Sequence, residues 1–154
     1  MFVAELFTDS SIDIDAPAQT VWAVLTDPAQ TSQWVGFFQP SFTQLDSRWT
    51  LAAPVAWKTT DGKTSVDGKV TGVDYPRLLS FTVHDLSGKF DDVQSDEDGI
   101  LYTLSESGGR TLLRITQGDF GKIGDNARKF YEATAESWDR ALPKIKELAE
   151  RAAN

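Results

Sequence analysis

The sequence of 154 residues predicts an α+β fold: an antiparallel sheet of six to seven strands, dry on one face and covered there by one long C-terminal helix. Three observations predict it. Residues 41–117 carry β periodicity almost throughout, broken by short turns. Residues 125–153 hold the one long amphipathic helical pattern. Between the first strand and that meander lie two short helical segments, opened by Pro17 and Pro28 and carrying Trp22 and Trp34.

The first strand reads Ile-Asp-Ile-Asp over 12–15, with Ile12 and Ile14 on one face and an apolar run at 2–7 that extends it backwards. Pro17 suits the first position of a helix, where a missing N–H costs nothing. Val21, Trp22 and Leu25 form that helix's inward stripe. Asp27 is placed to cap the second helix, with Pro28 next and Gln30 completing a capping-box-like pattern. Neither helix is long enough to be stable alone, so each must pack, with Trp22 and Trp34 as anchors.

Strands are expected at 41–46, 48–52, 55–59, 64–74, 78–85, 100–106 and 110–117. Asp61-Gly62 and Ser107-Gly108-Gly109 are hairpin signals, and Tyr75-Pro76-Arg77 is a tight reversal. Serial short turns make an antiparallel meander, since parallel strands need long crossovers. Alternation puts Leu79, Phe81 and Val83 on the dry side, with Ser80, Thr82 and His84 opposite. Ile100, Tyr102 and Leu104 share the dry face, as do Leu113, Ile115 and Gln117. The C-terminal helix, beginning near Asp125, turns Phe130, Tyr131, Thr134, Trp138, Ala141, Leu142, Ile145, Leu148 and Ala149 inward, and Pro143 should kink it. Residues 86–99, rich in Asp, Ser and Gly, are expected to form a mobile loop without metal.

Composition removes several functions. With no cysteine, disulfides, thiolate catalysis and cysteine-ligated zinc are excluded, and a cytoplasmic location is expected. One histidine, His84, leaves few routes to a histidine-based triad or zinc site. A net charge of −8 without a basic patch argues against nucleic acid and anionic membranes. No signal peptide is read at the N-terminus, and no apolar run approaches the roughly 20 residues of a spanning helix. "SDEDG" at 95–99 suggests calcium, but in EF-hand register Gln94 falls first and Ser105 twelfth, so the pattern fails. No glycine-rich phosphate loop precedes a helix.

Local wording adds a resemblance. "IDAPAQTVWAVLTDPAQTSQW", "DGKV", "PRLLSFTV", "GGRTLLRITQGDF" and "SWDRALPKIKELAE" together resemble the START-like, or SRPBCC, superfamily, and within it the branch named for activators of the Hsp90 ATPase. The resemblance spans nearly the whole chain and implies one helix-grip domain over 1–154. In such a fold the sheet curls around the last helix and leaves a cavity, closed at one end by the two short helices. It implies a module that holds a hydrophobic or aromatic small molecule, lipid-like or polyketide-like. The alternatives it implies are a chaperone-interacting domain and a polyketide cyclase or dehydratase-like enzyme. Described activators pair such a domain with a second one, for which 154 residues leave no room.

The expected ligand-binding residues are Trp34, Trp57, Phe81, Tyr102, Gln117, Phe130 and Trp138, with Trp49 a further inward aromatic. For any single aromatic the plain reading is core; a lined pocket is the functional reading. Phe81 and Trp138 are expected to wall the cavity, beside the small Thr134 and Ala141. Gln117 has two readings: a polar handle for a ligand, since an inward amide left unpaired costs roughly 1–3 kcal/mol, or a wet residue at the strand end. No catalytic residue, metal or cofactor is expected; the expected partners are an apolar small molecule and, alternatively, a chaperone or other protein.

Overall fold

The computed structural model describes residues 6–86, 99–121 and 127–154. It is an α+β fold, in which a curved antiparallel half-barrel of eight strands wraps a long C-terminal helix. Strand β1 (Thr8–Ile14) alternates inward and outward and leads to helix α1 (Ala18–Thr26). Pro17 is the residue before the helix, not its first position: its ψ of 157° is extended. Proline has no side chain to cap with, so the cap comes from afar. Glu106 Oε1 accepts the Ala18 N–H at 2.6 Å, placing a carboxylate at the positive end of α1.

The other end of α1 explains the tryptophans. A helix leaves its last four carbonyls without intrahelical partners. Asp27 N–H donates to Ala23 O at 2.9 Å, Trp34 Nε1 to Val24 O at 2.9 Å and Trp49 Nε1 to Thr26 O at 3.0 Å. Asp27 also caps α2 (Pro28–Thr31), accepting from Ala29 N at 3.0 Å. Its own N–H already serves Ala23, so Gln30 has no donor with which to complete a capping box. A single 3₁₀ turn follows at Val35–Phe37.

The remaining strands are β2 (Phe42–Ser47), β3 (Pro54–Thr59), β4 (Thr64–Asp74), β5 (Leu78–Thr82), β6 (His84–Asp85), β7 (Gly99–Ser107) and β8 (Arg110–Gly118). Their order is β1-β8-β7-β5-β4-β3-β2, with β6 also pairing β4. Gly108 and Gly109, at φ 60° and 79°, form the two-residue turn that pairs Ser107 with Arg110.

Three strand expectations change. Residues 48–52 form a loop, because Trp49 and Ala52 sit at φ 56° and 67°, the left-handed region that no strand contains. The loop turns Trp49 inward by another route, its indole bonded to α1 and its ring 5.3 Å from Phe81. The strand expected at 78–85 breaks at Val83 into β5 and β6. Thr82, expected on the wet face, is 6% exposed. Its hydroxyl accepts the Lys69 N–H at 2.9 Å beside an irregularity in β4–β5 pairing, so a local backbone need overrides parity. Gly68 lies so close that an added Cβ would stand 1.9 Å from Thr82 O, which leaves only glycine room there.

Helix α3 (Ala127–Ala153) closes the concave face, packing on β1 and α1. Trp138, Ala141, Leu142, Ile145, Leu148 and Ala149 are buried; Phe130, Tyr131 and Thr134 are half-buried. The helix runs through Pro143, whose ring is on the exposed side. The expected helix start at Asp125, and the loop and acidic cluster expected within 86–99, lie wholly or almost wholly outside the described residues.

Thr31 joins α2 to the sheet. It is fully buried, and its hydroxyl donates to Leu45 O at 3.1 Å and accepts from Leu45 N at 3.2 Å. Thr31→Val keeps the shape and strands both backbone groups. The expected loss in urea-unfolding free energy is roughly 1–3 kcal/mol, with an unchanged m-value.

Candidate ligand pocket

The interior between sheet and α3 is a network of rings. Trp138 sits at its middle, with centroids 4.6 Å from Phe38, 6.0 Å from Trp34 and 6.1 Å from Tyr102. Phe81 stands 5.6 Å from Tyr102, and Phe38 5.6 Å from Trp57. Most of these pairs are edge-to-face, the arrangement that ring quadrupoles favour. Trp34, Phe81, Tyr102 and Trp138 are each no more than 1% exposed.

Beside this packed region the sheet and α3 part, leaving an open pocket of about 220 Å³. Phe38, Phe42, Trp57, Val66 and Ile100 line it from one side; Phe130, Ala133, Thr134 and Ser137 do so from α3. Gln117 and Asp85 also reach it. Of the seven residues expected at a ligand site, the structure brings Trp57, Gln117 and Phe130 to this pocket. It places Trp34, Phe81, Tyr102 and Trp138 in the ring network beside it. Wider concavities lie outside the sheet–helix layer, such as a groove of about 860 Å³ along Tyr75, Leu78 and Glu106.

Polar groups are few and specific. Gln117 does face inward, and its Oε1 accepts from Trp138 Nε1 at 2.9 Å. The Trp57 Nε1 and the Tyr102 hydroxyl are buried and find no hydrogen-bond partner among the described residues. Burial pushes the Tyr102 phenol's pKa up, so it stays protonated and cannot serve as a base. His84 lies away from the pocket lining, its Nδ1 3.3 Å from Asp67 Oδ1. Tyr131 packs on Phe120, with centroids 6.3 Å apart. Among the described residues no three carboxylates or imidazoles converge as a metal site would require. No described helix is long and apolar enough to cross a membrane.

Sequence reasoning missed Phe38, Phe42 and Ala133 at the pocket. Phe38 follows a 3₁₀ turn, where no periodicity assigns a direction. Ala133, Thr134 and Ser137 did carry a signal: with Phe130 they repeat at three and four residues, a small-residue continuation of the α3 stripe.

The sequence model of the family described as Activator of Hsp90 ATPase homolog 1-like protein matches residues 15–150. Among solved structures, the Aha1 dimer from Colwellia psychrerythraea aligns at 15% identity and a TM-score of 0.70, covering 97% of this chain and 99% of that one. Protein MLL2253 from Mesorhizobium loti aligns at 20% identity and a TM-score of 0.68, covering 93% and 97%. DynU16, a protein in the dynemicin biosynthetic locus, aligns at 18% identity and a TM-score of 0.67, covering 97% of this chain and 49% of that one. These likenesses show the fold. No curated protein matches the sequence.

The unpartnered Tyr102 hydroxyl yields a counterintuitive expectation. Removing a buried polar group that has no partner removes a desolvation cost and no hydrogen bond. Tyr102→Phe is expected to leave unfolding free energy unchanged or raise it by about 1 kcal/mol. A loss of that size in thermal or urea unfolding would contradict the assignment.

Proposed function

The chain belongs to the Activator of Hsp90 ATPase homolog 1-like family, and from that premise we propose that it is a binding module for a hydrophobic or aromatic small molecule. The ligand sits in the pocket between β3, β7, β8 and α3. The carrying observation is the pocket's construction: mainly aromatic and aliphatic walls with a few polar groups, the amides of Gln117 and Gln39 among them, open to solvent at one side. That is the usual make-up of a small-molecule site, mostly apolar with few placed polar groups. An apolar cavity of about 150 Å³ already takes up benzene, so about 220 Å³ suits one ring or a compact pair, with longer parts projecting outward. We place one domain over 1–154, in the cytoplasm, which the cysteine-free sequence suits.

A cyclase-like enzyme would require acid and base groups at the substrate. The described lining offers the single carboxylate of Asp85 and no imidazole, amine or phenol, which supports holding over chemistry. The second reading, a domain that acts on a chaperone, draws on the family's name and on one observation. The rings around Trp138 fill much of the interior, and Leu51 and Tyr75 are 68% and 57% exposed outside it.

The test is titration with the neutral fluorophore N-phenyl-1-naphthylamine. Saturable fluorescence gain and a raised melting temperature are expected for the wild type. Thr134→Phe, which fills the pocket from the half-buried face of α3, is expected to weaken binding about tenfold or more, worth about 1.4 kcal/mol, with little change in melting temperature. Undiminished binding to that variant would place the probe elsewhere and favour the protein-interaction reading.

A further inference from the structure

Resting on the binding reading above, we propose that the pocket selects apolar ligands carrying an uncharged hydrogen-bond acceptor, a carbonyl of the ketone, ester or quinone type, held by the Gln117 amide NH₂. The orientation of that amide is fixed by chemistry. An indole N–H is a donor only. Trp138 Nε1 lies 2.9 Å from the Gln117 side-chain amide, so the amide must turn its oxygen to the indole. The NH₂ edge is what remains, and no described residue supplies it an acceptor. Gln117 lines the pocket, so the group it presents there is a donor.

The rest of the lining narrows the ligand further. Trp57, on the same pocket, also carries a donor-only group, its buried Nε1, with no partner among the described residues. The Thr134 and Ser137 hydroxyls and the Gln39 amide can each donate or accept and do not discriminate. No lysine, arginine or histidine is among the described lining residues, whereas Asp85 is. A carboxylate or phosphate ligand would therefore find no cationic side chain among the described lining residues. An ammonium would set donor against donor at Gln117. A carbonyl meets both conditions: it accepts, carries no net charge and has no proton of its own to place.

Acetophenone and ethylbenzene, near-matched in shape, separate the carbonyl from the ring. Their affinities are measured by ligand-observed NMR on the full chain at about pH 8, well above the ordinary glutamate range. Gln117→Glu keeps an oxygen for Trp138 and replaces the NH₂ by a second oxygen. The ratio of ketone to hydrocarbon affinity is expected to fall about fivefold or more in that variant. Gln117→Met removes the donor without adding charge and should lower the same ratio while ethylbenzene still binds; it also serves if Gln117→Glu does not fold. A ratio unchanged in both variants overturns the proposal and leaves the pocket standing. So does failure of acetophenone to bind a wild-type chain that takes up N-phenyl-1-naphthylamine. Failure of all three compounds removes the binding reading itself.

Discussion

The hydrogen bond from the Trp138 indole to Gln117 is the joint on which the interior depends. It ties the middle of α3 to the inward face of β8, and Trp138 is also the ring that Trp34, Phe38 and Tyr102 pack around. A buried indole costs free energy if left unpaired, and the half-buried Gln117 amide supplies its acceptor. Paired with one another, they fix both the depth and the rotation of the helix. Apolar contacts alone tolerate small slides of a helix along a sheet; a directional bond at 2.9 Å does not. The same bond commits the amide oxygen, and so decides which edge of Gln117 is left for anything else.

The closed end of the interior is held in the same manner. Trp34 and Trp49 both donate to carbonyls at the C-terminus of α1, and Thr31 pairs with both backbone groups of Leu45. Large rings provide burial while their N–H groups complete a helix end that has no glycine cap. Two helices of nine and four residues, too short to persist alone, thereby become a rigid plug. Rigidity at this end leaves the opposite end, near Phe130 and Asp85, as the place where sheet and helix can stand apart.

Much of this was legible in the sequence, for definable reasons. Burial alternates over Gly99–Leu104 of β7 and Arg110–Ile115 of β8, so Tyr102 and Ile115 were assignable by parity alone. The α3 stripe was equally plain, because a half-buried helix must repeat near 3.6 residues. Residues 48–52 misled for a physical reason: an aromatic in a β-prone run also suits a loop whose backbone turns left-handed to bring the indole to Thr26. Thr82 was misplaced because a backbone N–H at an irregular pairing needed its hydroxyl. At the pocket, parity found Gln117 and Trp57 but could not separate a ring that lines a space from one that fills it. That distinction belongs to neighbours distant in sequence, such as Phe38 against Trp138, and no local pattern encodes it.

The position of the pocket follows from a change in side-chain volume along one helix face. From Trp138 to Ala149 the inward stripe is large enough to meet the sheet. Toward the N-terminus of α3 the side chains lining the pocket are the small Ser137, Thr134 and Ala133, while the sheet opposite keeps its full-sized Trp57 and Phe42. Close packing elsewhere forbids the layers from collapsing to fill the difference. Space must therefore remain at this end, bounded by Phe130 beyond it and by Trp138 behind it. Gln117 stands at that boundary, bonded to Trp138 on one side and facing the pocket on the other. Half-buried there, Gln117 uses one edge of its amide for the fold and leaves the other facing the pocket.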